Sequence, residues 1–160
     1  ADGFGAGGFY CVYRFSISDS SLVPQARMFV GMSNENGAFG TPQYFPANNY
    51  VGVGHDNGES NFKFIYTGSA TAPAWSTLSS DFPVAVNTLY ELRIYSYIPP
   101  VLHMELVNLT NGRTATIAIT NTTHFPSSTT LLAPRAWRTN NSVSDTVGID
   151  IASLYIEKPY

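Results

Sequence analysis

Charge is scarce in this chain. Asp, Glu, Lys and Arg make up 12% of its 160 residues, about half the usual ~25% share. Disorder needs high net charge and few aromatics, and here aromatics reach 14% and the net charge is only −3. The eight Lys and Arg are scattered, so no basic face tracks phosphates and no nucleic-acid partner is expected. Cysteine is nearly missing. Cys11 stands alone, which excludes an internal disulfide. A small secreted animal domain often carries several, so a bacterial or viral source fits better. No apolar run approaches the ~18 residues of a membrane span, so no membrane insertion is expected, and no signal peptide is visible.

Catalytic motifs are lacking too. His55, His103 and His124 stand in no metal-ligand spacing. There is no G-x-S-x-G elbow. Carboxylates are available for a glycosidase-type pair, for example Asp56 with Glu105, but the sequence does not bring them together. The expectation is a domain that is not an enzyme and needs no metal or cofactor.

What is present is alternation. In Gly7 to Ser18 the odd positions are Phe9, Cys11, Tyr13, Phe15 and Ile17, while the even positions are more polar. Side chains alternate faces along a strand, so the odd set enters a core. Cys11 then reads as a buried small hydrophobe. Further strands are expected at Arg27 to Ser33, Tyr50 to His55, Asn61 to Thr67, Leu89 to Tyr97, Val101 to Leu109, Arg113 to Thr120, Leu131 to Arg138 and Val147 to Glu157. Pro134 makes the Leu131 strand an edge. The phase shift near Ala152 predicts a bulge. Asn111-Gly112 reads as a two-residue hairpin turn with positive φ at both residues. Asn34 to Asn49, with Phe39, Tyr44 and Phe45, and Gly68 to Thr88, with Trp75, read as long loops, and Pro99-Pro100 ends a strand. Tight hairpins mixed with long connections predict an all-β, antiparallel two-sheet sandwich of jelly-roll, lectin-like type. The opening ADGFGAGG has no Met and is rich in Gly. It reads as a linker over residues 1–8 from an upstream region into one domain over 9–160.

The polar cluster His55-Asp56-Asn57-Gly58-Glu59 can hold a sugar hydroxyl or a cation, or can simply be a hairpin turn bonding its own backbone. Trp75, between Pro73 and Pro83, offers a ring face for a sugar. Arg138 and Asn140 flank a polar loop where an acidic sugar could be anchored. Arg93, Tyr95 and Tyr97 share one face with Glu91, and suit a subunit interface. The ligand-binding set is therefore Trp75, His55, Asp56, Asn57, Arg138 and Asn140, and the interface set is Arg93, Tyr95 and Tyr97.

Four segments, FVGMS, VGVGHDNGESNFKFIY, LYELRIYS and VGIDIASLYIEKPY, resemble C-terminal receptor-binding or tip domains of bacteriophage tail fibres and tailspikes. The resemblance implies a β-sandwich at the end of a fibre in the virion, assembled as a homotrimer. It implies adsorption to a host surface polysaccharide, with three weak sites raising avidity. No shared set of binding residues comes with it. The alternatives are a monomeric carbohydrate-binding module of a secreted enzyme, a trimerisation cap without ligand, and a glycan-degrading domain.

Overall fold

The alternation of the first strand decides the architecture. In a computed structural model describing residues 8–35, 49–68, 73–97, 101–126 and 130–157, β1 (Phe9–Ile17) turns Cys11, Tyr13, Phe15 and Ile17 into the core. The strands that follow are β2 (Arg27–Ser33), β3 (Tyr50–His55), β4 (Lys63–Thr67), β5 (Ala74–Thr77), β6 (Leu89–Ser96), β7 (Leu102–Asn108), β8 (Arg113–Ile119), β9 (Ala133–Thr139) and β10 (Ile149–Glu157). They form two antiparallel five-stranded sheets, β10-β1-β6-β7-β8 (sheet A) and β5-β4-β3-β2-β9 (sheet B). This is the two-sheet jelly-roll sandwich the sequence predicts. The first and last strands are neighbours in sheet A.

Between the sheets lies one apolar core. Phe15, Tyr90, Leu92, Ile94, Met104 and Leu106 of sheet A meet Met28, Val30, Val51, Val53 and Phe64 of sheet B. Cys11 belongs to it, and burial pushes its thiol up to about 11. One hydroxyl ties the sheets together. Tyr13 reaches from β1 to donate to the Gly31 carbonyl on β2, and accepts from Arg135 N on β9 at 3.1 Å. It thus wedges between two residues that face each other in the β2–β9 ladder. A second cluster, Phe29, Tyr50 and Ile65 with Trp137, sits on the other face of sheet B. Gly31 and Gly52 pair there across β2 and β3. A Cβ on Gly52 would lie 2.2 Å from the Val30 carbonyl and 3.0 Å from the Phe29 ring, so only glycine lets strands and ring approach so closely.

Several local expectations meet the structure directly. β9 is an edge strand, and β10 skips one residue: Arg14 faces Ser153 and Phe15 faces Ile151, leaving Ala152 as the bulge. Two are corrected. Trp75 lies in the short strand β5 rather than a loop. The turn at Asn111-Gly112 is longer than two residues, since β7 ends at Asn108 and β8 begins at Arg113. Only Gly112 has positive φ there, because the Asn108 side chain accepts from Thr110 N and Asn111 N and curls the loop onto itself. The expected linker over residues 1–8 (beyond Gly8), the loop aromatics Phe39, Tyr44 and Phe45, and Pro99-Pro100 lie outside the described residues.

Candidate functional site

Strand pairing gathers an aromatic row on the outer face of sheet A. The even residues of β1 point away from the core, and register carries this face across four strands. Tyr10 stands opposite Tyr95, and Tyr95 opposite His103. Tyr155 of β10 stands opposite Val12, one diagonal step from Tyr10. The rings touch in sequence. Tyr155 and Tyr10 are 6.5 Å apart between centroids, Tyr10 and Tyr95 6.0 Å, and Tyr95 and His103 5.0 Å in a nearly parallel stack. Tyr97 adds a ring 5.1 Å from Tyr95. From β10 to β7 the row covers three strand spacings, about 14 Å.

Beside this row runs a charged cluster. Glu91 is 3% exposed although its strand position faces outward. Two guanidinium groups hold it: Arg14 Nε donates to Oε2 at 2.6 Å, and Arg93 Nε donates to Oε1 at 2.7 Å. Arg93 also donates to Glu105 across the β6–β7 ladder. Burial pushes the Glu91 carboxyl up, but the hydrogen bonds and charges of Arg14 and Arg93 outweigh it and hold it below the usual carboxylate range. Glu91 is therefore a fixed anion at neutral pH. It orients Arg14 and Arg93, and the Arg93 charge lies close enough to act on the Tyr10 hydroxyl. Flat apolar ring faces beside fixed donors and acceptors can stack on a sugar ring and bond its hydroxyls.

Arg93, Tyr95 and Tyr97, read from the sequence as an interface, lie in this row. The ligand-binding residues expected from the sequence lie elsewhere, and the structure does not bring them into one site. His55 and Arg138 are in the interior. Arg138 Nη1 donates to His55 Nε2 at 2.8 Å, and Arg138 Nε donates to Asp19 Oδ1 at 3.1 Å. Gly148 N closes the group on Asp19 Oδ1 at 2.8 Å. The Arg138 and Asp19 side chains are 1% and 0% exposed. A surface sugar does not reach side chains buried this deeply, so the expected contact at His55 and Arg138 is corrected to an internal Arg138–Asp19 ion pair with His55 as a hydrogen-bond acceptor. Burial first, and the Arg138 charge second, push His55 down to about 4.

Asp56, Asn57 and Glu59 organise their own turn. Asp56 N donates to Glu59 Oε2 at 2.9 Å, Asn57 N to Asp56 Oδ1 at 2.7 Å, and Arg27 pairs with Asp56 at 2.5 Å. The Asn140 amide donates to the carbonyls of Val143 at 2.6 Å and Asp145 at 3.1 Å. Trp75 is half exposed on β5, in the other sheet, with Lys63 Nζ 5.4 Å above its ring. The sequence reading missed Tyr10, His103 and Tyr155. Their place in the row depends on which strands become neighbours. Among the described residues no His, Cys, Asp and Glu gather in a group of three that could hold a metal ion, and no helix is long and apolar enough to cross a membrane.

The chain matches no known family model, and no curated protein matches it significantly. Solved structures do share its fold. Scytalido-glutamic peptidase, crystallised with a transition-state analogue inhibitor, superposes with a TM-score of 0.58 at 11% identity, over 96% of this chain and 76% of its own. The family 7 alginate lyase A1-II′ in complex with substrate gives 0.55 at 10% identity, over 95% of this chain and 61% of its own. The lectin UEA-II complexed with galactose gives 0.54 at 12% identity, over 96% and 73%. The chain thus spans less than two thirds of the lyase's length. Identities this low speak for the fold alone. They also correct one expectation. The all-β class and the missing motifs pointed away from an enzyme, yet this sandwich serves a peptidase and a lyase as well as a lectin, so it does not argue against catalysis.

Proposed function

We propose that the outer face of sheet A binds a polysaccharide. The observation that carries this reading is the contiguous row Tyr155, Tyr10, Tyr95 and His103, with neighbouring centroids 5.0–6.5 Å apart, beside the Arg14–Glu91–Arg93–Glu105 cluster. The rings supply stacking surface at little cost in side-chain entropy. The guanidinium groups favour a polymer carrying hydroxyls or carboxylates. A fold shared with a lectin crystallised with galactose and a lyase crystallised with its substrate supports the reading. The finer proposal is a receptor-binding tip of a phage tail fibre, acting on a host surface glycan. Its support is the four-segment resemblance.

The test is a titration of the whole chain against neutral and acidic bacterial polysaccharides, followed by calorimetry and by assay of reducing ends and released product. Binding that drops about tenfold in Tyr95→Ala, a loss of one stacked ring, and is kept in Trp75→Ala supports the assignment. Loss in Trp75→Ala with Tyr95→Ala unchanged overturns it and moves the site to sheet B. Product release would show that the bound glycan is also cut.

A further inference from the structure

Among the described residues the two sheets end on four edge strands, and three are blunted. β5 has four residues. β9 carries Pro134 and Arg135. β8 begins on the exposed Arg113 and turns the polar Thr114 and Thr116 outward. The fourth, β10, has nine residues, Ile149–Glu157, with no Pro, Lys or Arg. Its register sets Ile151, Leu154 and Ile156 opposite Phe15, Tyr13 and Cys11, all of which are buried in the core. Yet these three remain 40%, 47% and 47% exposed. β10 does carry a bulge at Ala152 and the charges of Asp150 and Glu157, yet its apolar core-facing positions stay exposed, and such positions on a long edge invite another strand.

From this edge we infer that β10 pairs antiparallel with β10 of a second copy, about a two-fold axis through Tyr155, a dimer in place of the homotrimer that the fibre resemblance implies. The bulge at Ala152 leaves Ser153–Glu157 as a regular arm. Facing residues of an antiparallel pair lie on the same side of the sheet. Centring on Tyr155 is the register that matches all five residues of the arm face for face. Leu154 then covers Ile156 of the second copy on the core side, and Tyr155 meets its own counterpart on the outer side. Glu157 falls opposite Ser153, so its carboxylate does not meet the Glu157 carboxylate of the second copy. The two A sheets merge into one of ten strands. The second copy also completes the aromatic row. With Tyr155 beside Tyr155, the row runs unbroken from His103 of one copy to His103 of the other, seven strand spacings or about 34 Å. That length suits an extended polysaccharide chain rather than a single sugar. This use of the row rests on the proposed glycan reading, whereas the pairing itself does not.

The experiment therefore contains no glycan. Light scattering on the whole chain is expected to give twice 17.4 kDa. In Tyr155→Cys, the new thiols would sit ~4.5–5.5 Å apart between Cα atoms across the axis, within disulfide reach. This variant should cross-link under mild oxidation, while Thr116→Cys on the opposite edge should not. Leu154→Lys should yield single chains with an unchanged circular dichroism spectrum. If Leu154→Lys fails to fold, the first two measurements still decide. Single chains of the unaltered protein at 100 μM, a mass of three copies, or cross-linking of Tyr155→Cys no faster than Thr116→Cys would each overturn the pairing.

Discussion

His55 Nε2 accepts a hydrogen bond from Arg138 Nη1 at 2.8 Å, joining residues 83 positions apart in the chain. Only a neutral imidazole can accept there. The pair anchors β3 to β9 across β2, and Asp19 completes it.

Acid should therefore weaken the fold through His55. Its ring titrates at about 4 in the folded chain, against an ordinary 6.5. The unfolded chain takes up this proton first, so stability is full above pH 6.5 and is lost as pH falls toward 4. Between pH 7.5 and 4.5 the loss should be on the order of 2–3 kcal/mol. Asp19, held below the usual range despite its burial, adds loss in the same direction as it protonates. Urea unfolding at the two pH values measures the sum. His55→Gln, which keeps an acceptor but does not titrate, should flatten the difference.

Breaking the ion pair at neutral pH should cost more. Asp19→Asn leaves the Arg138 guanidinium, 1% exposed, without its counter-charge, a change that costs about 3–5 kcal/mol in buried pairs. The double variant Asp19→Asn with Arg138→Met should cost less than the sum of the single changes. A double-mutant cycle from urea melts reads that coupling.

Tyr13→Phe removes the hydroxyl between the Gly31 carbonyl and Arg135 N. Both backbone groups would then lose a buried partner, at about 1–3 kcal/mol. Differential scanning calorimetry should show a lower Tm, and hydrogen exchange should speed up at Arg135 rather than in sheet A.

Gly52→Ala should destabilise by about 1–3 kcal/mol, because its Cβ would meet the Val30 carbonyl at 2.2 Å and neither strand can yield. Gly58→Ala is the comparison. Its Cβ meets nothing within 4 Å, so only the φ of +74° opposes it, and the cost should be smaller, about 1 kcal/mol. Melting curves of the two variants rank them.

Much of the fold was legible because the signals were local. Alternation in Phe9–Ile17 marks the core face of β1, and the phase slip at Ala152 marks the bulge of β10. Glu91, Arg93 and Tyr95 share a face by two-residue spacing alone. The rest of the site was hidden because it is made by pairing. Tyr10, Tyr95 and His103 align only once β1 settles between β10 and β6, and periodicity does not specify neighbours. His55 and Arg138 look like surface chemistry in sequence, being polar and next to turns. Only the partner at Asp19, far away in the chain, allows them inside. Trp75 looks like a loop residue in the sequence because a four-residue strand after Pro73 is too short to display a period.

The most direct measurement is a nuclear magnetic resonance titration of the isotope-labelled chain with a polysaccharide that it binds. The outer face of sheet A should respond, with ring and amide signals of Tyr10, Tyr95, His103 and Tyr155 shifting while those of Trp75 and Asn140 stay in place. Shifts confined to Trp75 and its neighbours in sheet B, with the tyrosine row unmoved, would contradict the account.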